Sequence, residues 1–145
     1  MAISKNIGVI SMPMKADLAL DDYQYYCVYA ASTAGYVGLS TGSSAPHPIG
    51  VLQTNAASAR GEAVEVGVFG PMIAKVAACG MANEACPIKV GDFLTTGTSG
   101  YLMRAGSVGF TTQAMALEPI TSSCYVANIH VFWYGIPGAS PLESS

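Results

Sequence analysis

The sequence predicts a mainly β fold, a small barrel or sandwich, on three observations. Short runs rich in aromatic and β-branched residues recur along the chain, each bounded by turn residues. The 16 Gly and 8 Pro supply corners, bulges and turns. No stretch carries the apolar spacing of a long amphipathic helix; residues 30–34, 72–82 and 110–115 have room for a helical turn or two.

Taken in order, residues 1–20 stand apart. Ile3, Ile7, Val9, Ile10, Met12, Met14, Leu18 and Leu20 fit neither period 2 nor period 3.6, and Pro13 blocks a central strand. This segment reads as an extended apolar arm that needs a partner surface, with an edge strand folded onto its own domain as the other reading. The domain proper is placed at 21–134 and a tail at 135–145. Tyr23-Gln-Tyr-Tyr-Cys-Val-Tyr-Ala, 36–39 and 49–53 are strand candidates, with a loop at 40–48. In Glu62-Ala-Val-Glu-Val-Gly-Val-Phe, Val64, Val66 and Val68 share one side; beyond Pro71, residues 72–78 read as strand or helical turn. Residues 88–96 and 101–104 flank Gly97-Thr-Ser-Gly100 as a hairpin. Residues 109–117 give a short candidate. The strongest is 124–134, with Tyr125, Ala127, Ile129, Val131 and Trp133 on one face and an opposite face that is partly apolar, as in a strand buried on both sides. A faint echo links Ile49-Gly-Val-Leu and Val64–Gly70 to Met115-Ala-Leu-Glu and Val126–Gly135; shared barrel geometry and internal duplication explain it equally.

Composition narrows the function. Hydrophobic residues make up 51% of the 145 residues and charged residues 10%, against about 25% charge in a typical domain. So little charge fits a surface that lies against another subunit or a larger assembly. Net charge is −3 and the six cations are scattered singly, which disfavours nucleic acid. No run is long and apolar enough for a membrane helix, and the start lacks a secretion signal, so synthesis in the cytoplasm is the expectation. The cysteines, Cys27, Cys79, Cys86 and Cys124, form no C-x-x-C. A Cys79–Cys86 disulfide and four buried free thiols both remain open.

The search for chemistry finds little. His47 lies between two prolines; His130 shares a face with Asn128 and Phe132. Cys124 and His130 would sit about 20 Å apart on one strand, too far for a dyad. Asp21-Asp22 reads as a solvated turn, and no phosphate-binding glycine loop or metal-ligand cluster is present, so neither an enzyme nor a cofactor is expected. Tyr23, Tyr25, Tyr26, Tyr29 and Tyr36 could line a glycan surface, although strand tyrosines more often pack in a core or interface.

Four stretches carry a resemblance: Ala45-Pro-His-Pro-Ile-Gly-Val-Leu-Gln-Thr-Asn, Gly61-Glu-Ala-Val-Glu-Val-Gly-Val-Phe-Gly, Ile88-Lys-Val-Gly-Asp-Phe-Leu-Thr-Thr with Gly100, and Ala114-Met-Ala-Leu-Glu-Pro. Their order and spacing resemble the capsid decoration, or cement, proteins of tailed bacteriophages with a lambda-like head-stabilising fold. Ala114 stands where that pattern has its last Gly, and residues 79–86, the arm and the tail match nothing in it. The resemblance implies a β-tulip domain and homotrimers on the capsid exterior. It further implies contact with the major capsid protein and with neighbouring trimers, and no catalytic, metal or cofactor residues. On this reading Ile3, Ile7, Val9, Ile10, Met12 and Met14 anchor the arm to the shell or a neighbour, and deleting 2–15 leaves a folded domain. Phe69, Met72, Trp133 and Tyr134 are the candidate trimer contacts, because they end apolar strands beside Gly or Pro. A glycan-binding module is the alternative.

Overall fold

The computed structural model describes residues 9–40, 47–54, 58–78, 87–97, 99–105, 112–121 and 126–135. They form nine strands: β1 (Ile10–Ala16), β2 (Cys27–Ala30), β3 (Tyr36–Leu39), β4 (Pro48–Leu52), β5 (Ala63–Ala77), β6 (Phe93–Thr96), β7 (Leu102–Arg104), β8 (Ala114–Ala116) and β9 (Val126–Trp133). No helix occurs among the described residues. The all-β expectation holds, and the architecture is barrel-like.

Strand β5 organises the rest. The sequence reading split it at Pro71, yet one strand of 15 residues runs straight through. The odd-numbered residues of β5 direct their backbone groups to the edge away from β1 and β9: Glu65 O accepts Gln53 N at 2.8 Å, and Lys75 N donates to Tyr25 O at 2.9 Å. Along that edge β4 pairing reaches Gly67 and β7 pairing begins at Val76. Pro71 falls in the gap, so its missing N–H removes no ladder bond.

The pairings close two five-stranded rings that share β5. Strands β1, β3, β2, β4 and the first half of β5 form one; the second half of β5 with β7, β6, β8 and β9 forms the other. Each ring has its own core. Ala16, Leu20, Val28, Val37, Leu52, Val64 and Val66 fill the first. Met72, Ala74, Val76, Leu94, Leu102, Ile129, Val131 and Trp133 are among those filling the second. Even positions of β5 and odd positions of β9 point inward, as period-2 alternation requires.

The two rings are repeats of one unit. Shifting each strand four places along the chain maps β1–β5 onto β5–β9 and preserves every pairing and its direction, including the parallel pairs β1–β3 and β5–β7. Bonds outside the ladders repeat as well. Ser40 N to Cys27 O and Ala105 N to Phe93 O are both 2.9 Å. Tyr25 N to Leu52 O, 2.7 Å, matches Gly91 N to Ala116 O, 2.8 Å. Gln53 N to Glu65 O, 2.8 Å, matches Leu117 N to His130 O, 2.9 Å. Backbone handedness follows: Tyr25 has φ 75° where Gly91 has φ 93°, and Gly35 and Gly100 have φ 85° and 88°. Tyr25 thus holds a left-handed conformation that its counterpart gives to glycine. Barrel closure alone does not demand these shared details, so the two rings are an internal repeat; its register sets Ile49-Gly-Val-Leu against Gln113-Ala-Met-Ala, two places before the stretch matched in the sequence echo.

The chain start differs from the sequence reading. Residues 10–16, placed there in an arm, are strand β1, paired from Ile10 to Lys15 with β5 and at Lys15 and Ala16 with β3. Apolar spacing hid this because a register shift between Ile10 and Ser11 breaks the alternation. Pro13 is tolerated because β3 pairing begins only at Lys15. Residues 1–8 lie outside the described residues. Deleting 2–15 removes most of β1 and is expected to abolish the cooperative melt, whereas deleting 2–8 leaves it; circular dichroism on both truncations checks this.

One buried polar cluster ties the second ring together. Gln113 Oε1 accepts Thr96 N at 2.9 Å and Thr96 Oγ1 at 3.1 Å, and Gln113 O accepts Tyr134 N at 3.0 Å and Gly135 N at 2.9 Å. Gln113→Leu keeps the volume and strands the two Thr96 donors, at about 1–3 kcal/mol for each donor left unpaired. The urea midpoint is expected to fall with the m-value unchanged.

Candidate interaction surface

The outer face of the second ring carries an unbroken row of apolar side chains. Phe93 faces Met115, Met115 faces Phe132, and Phe132 faces Pro71 across successive strands. Phe69 continues the row, its ring edge-on to Phe132 with centroids 5.5 Å apart, and Ile10 sits opposite Phe69 on β1. Ile10, Phe69 and Phe93 are exposed; Pro71, Met115 and Phe132 are half-buried. Val90 and Leu117 add exposed apolar area beside this row. A soluble monomer seldom exposes apolar side chains so contiguously.

Parity decides which of the sequence-derived candidates take part. Phe69 belongs to the row. Met72 and Trp133 do not: both are fully buried in the second core, so their assignment to a subunit interface is corrected. Tyr134 is half-buried, and its hydroxyl lies 2.6 Å from Thr112 Oγ1. Of the arm candidates, Val9 packs on the second core and Met14 on the first, while Ile10 and Met12 are exposed. Ile3, Ile7, Cys79 and Cys86 lie outside the described residues, and with them the proposed disulfide. Phe93, Met115 and Phe132 were missed; the outward parity of β9 and β6 was the signal available.

The remaining chemistry-bearing groups are structural in their contacts. Cys27, the cysteine among the described residues, is a buried free thiol pushed up to about 12 by burial, which a hydrogen bond with Thr96 only partly offsets. It behaves as a small apolar side chain with no useful thiolate fraction. Tyr26 packs edge-on against Tyr23 and tilted against Tyr101, with centroids 5.0 Å and 5.5 Å apart, and the Lys75 ammonium lies 5.6 Å from the Tyr26 ring. Desolvation, then Tyr101 and Tyr23, raises the Tyr26 hydroxyl. These rings, like those of Tyr25, Tyr29 and Tyr36, are half-buried. Asp92 caps a turn through Lys89 N at 2.8 Å. Among the described residues no group of three His, Cys, Asp or Glu could hold a metal ion.

His130 pairs with Glu118. Glu118 Oε1 accepts His130 N at 2.7 Å and lies 3.1 Å from Nδ1. Thr54 makes the corresponding bond in the first ring, its Oγ1 accepting Glu65 N at 3.2 Å. The backbone N–H of His130 holds the Glu118 carboxyl below its ordinary value, opposed by desolvation and helped by the imidazole. A depressed carboxylate contributes stability above its unfolded pKa and loses it as pH falls through the folded value. The stability advantage of wild type over Glu118→Gln is therefore expected at neutral pH and should vanish on acidification below the normal glutamate range. Urea melts of both proteins across that range check it.

Comparison with known proteins adds one finding. No protein-family model matches the chain, and no curated protein matches it. Among solved structures, the chain is similar to one described as "The crystal structure of head fiber gp8.5 N base in bacteriophage phi29". The TM-score is 0.47 and the identity 16%, over 86% of this chain and 93% of that one.

Proposed function

We propose that the protein is a structural component of a bacteriophage virion, one that binds the outside of the capsid as trimers and bridges neighbouring capsomers. The observation that carries this reading is the apolar row from Ile10 to Phe93 on a chain with 10% charged residues. Such a surface suits a subunit that works by burying its exterior. The stretches behind the cement-protein resemblance are compatible with it, since they fall on β4, β5, β6 and β8 of a barrel-like fold, the kind of fold that resemblance implies.

Apolar burial is worth about 25 cal/mol per Å2 before association costs. One copy therefore contributes modestly, and many copies around a shell act together. In this proposal Ile3 and Ile7 at the start of the chain reach the major capsid protein, while exposed barrel residues meet neighbouring copies. The closed rings support contact through side chains: each of the nine strands has a neighbour on both edges, which leaves little room for strand addition.

Cosedimentation with capsids before and after expansion tests the reading. Binding to expanded shells alone is expected, with loss of coating when residues 2–8 are deleted. Absence of binding to either shell, or full coating by the truncated chain, would contradict it.

A further inference from the structure

The repeat provides a template for what covers the exposed face. Within the chain, the first ring presents Cys27, Val51, Gln53 and Gly67 to the second, with Gln24 bonded to Gln53. Cys27 and Val51 are counted in the second core, and Cys27 N donates to Gly100 O at 2.8 Å. Gln53 Nε2 donates to Ile73 O at 3.3 Å, Gln24 Nε2 donates to Gln53 O at 3.0 Å, and a Cβ on Gly67 would come within 2.9 Å of Met72 Sδ. The matched bonds and registers give these residues their counterparts in the second ring: Val90, Phe93, Met115, Leu117 and Phe132. All five are apolar and lie on the face left uncovered, with Val90 62% and Phe93 52% exposed. Where the covered face used glutamines and a glycine, the uncovered one carries Val, Leu and Phe.

The first ring has an unmatched end too. Register makes Ala16 the counterpart of Val76, and hence Met12 the counterpart of Met72. Met72 is 0% exposed because the first ring lies over it; Met12 is 40% exposed, with Ile10 beside it.

We infer that the Val90–Phe93–Met115–Leu117–Phe132 face of one copy docks on the Met12 end of the first ring of a second copy, head to tail, as the first ring docks on the second within the chain. The occupant is a barrel rather than the chain's own tail. Residues 136–145, IPGASPLESS, offer two large apolar side chains, Ile136 and Leu142, one on either side of a pair of prolines, against a face that spans three strands. The contact between copies is made by side chains, since Lys15 N already takes Gly35 O, the counterpart of the Gly100 O used inside the chain. A head-to-tail contact closes into a ring or grows into a filament. The inference rests on the proposed function only for closure at three copies.

Complementation between two charge variants tests it without any shell. Phe93→Glu spoils the docking face, and Met12→Glu spoils the receiving end. Wild type is expected to sediment as an oligomer, and each variant alone as a folded monomer. The two mixed are expected to form a one-to-one dimer, through the intact face of the Met12 variant and the intact end of the Phe93 variant. Leu117→Glu replaces Phe93→Glu should the latter fail to fold by circular dichroism. Wild type that stays monomeric from micromolar to near-millimolar concentration would overturn the inference. So would variants that assemble like wild type, or folded variants that stay monomeric when mixed. Shell binding is read separately: a monomer that coats capsids defeats this inference alone, and an oligomer that ignores capsids defeats the capsid reading alone.

Discussion

A single strand serving two barrels is the constraint from which the other features follow. β5 supplies an edge to β1 and β4 in its first half and to β9 and β7 in its second. Its alternation must therefore stay in phase over 15 residues, with even positions inward in both rings. Pro71 is admitted at the one stretch where the β4 side of the strand has no ladder partner. Gly67 is small because the second ring's Met72 sits where its side chain would be. Closure of both rings also gives each of the nine described strands two neighbours, so among the described residues little strand edge is left to recruit a partner, and association falls to side chains.

The repeat makes the distribution of apolar surface intelligible. One face of the first ring is hidden by the second ring; the same face of the second ring is open and richer in large apolar residues. Were the open face merely solvated, its counterparts of Gln24 and Gln53 would be expected to stay polar. Val90 and Leu117 stand there instead. This surface, together with the scarcity of charge, is what favours a role in assembly, and the proposed seat on a capsid is one setting in which many such contacts accumulate.

Much of the fold was legible in the sequence, and the failures have physical causes. β2, β3, β4, β6, β7 and β9 coincide with runs of aromatic and β-branched residues between turn signals. β1 was obscured by Pro13 and a register shift, and β5 by Pro71, because a proline's compatibility depends on which edge of the strand is paired. The site was less legible. Phe69 was found from its position at a strand end beside Gly70, a rule that wrongly selected Met72 and Trp133 as well. Side-chain parity would have separated them, but parity requires the strand boundaries first. The repeat was visible as an echo, two places out of register at β4, and lacked confirmation, since its strongest marks are hydrogen bonds and left-handed residues such as Tyr25 and Gly91.

If β5 truly joins the barrels, neither ring can open alone. Native-state hydrogen exchange reads this directly, residue by residue. The amides of β5 should be the slowest in the molecule. Core amides of both rings, such as those of Val28 in β2 and Val131 in β9, should exchange through the same global opening at equal free energy. Loss of protection across β6–β9 while β1–β4 remain protected would contradict the account.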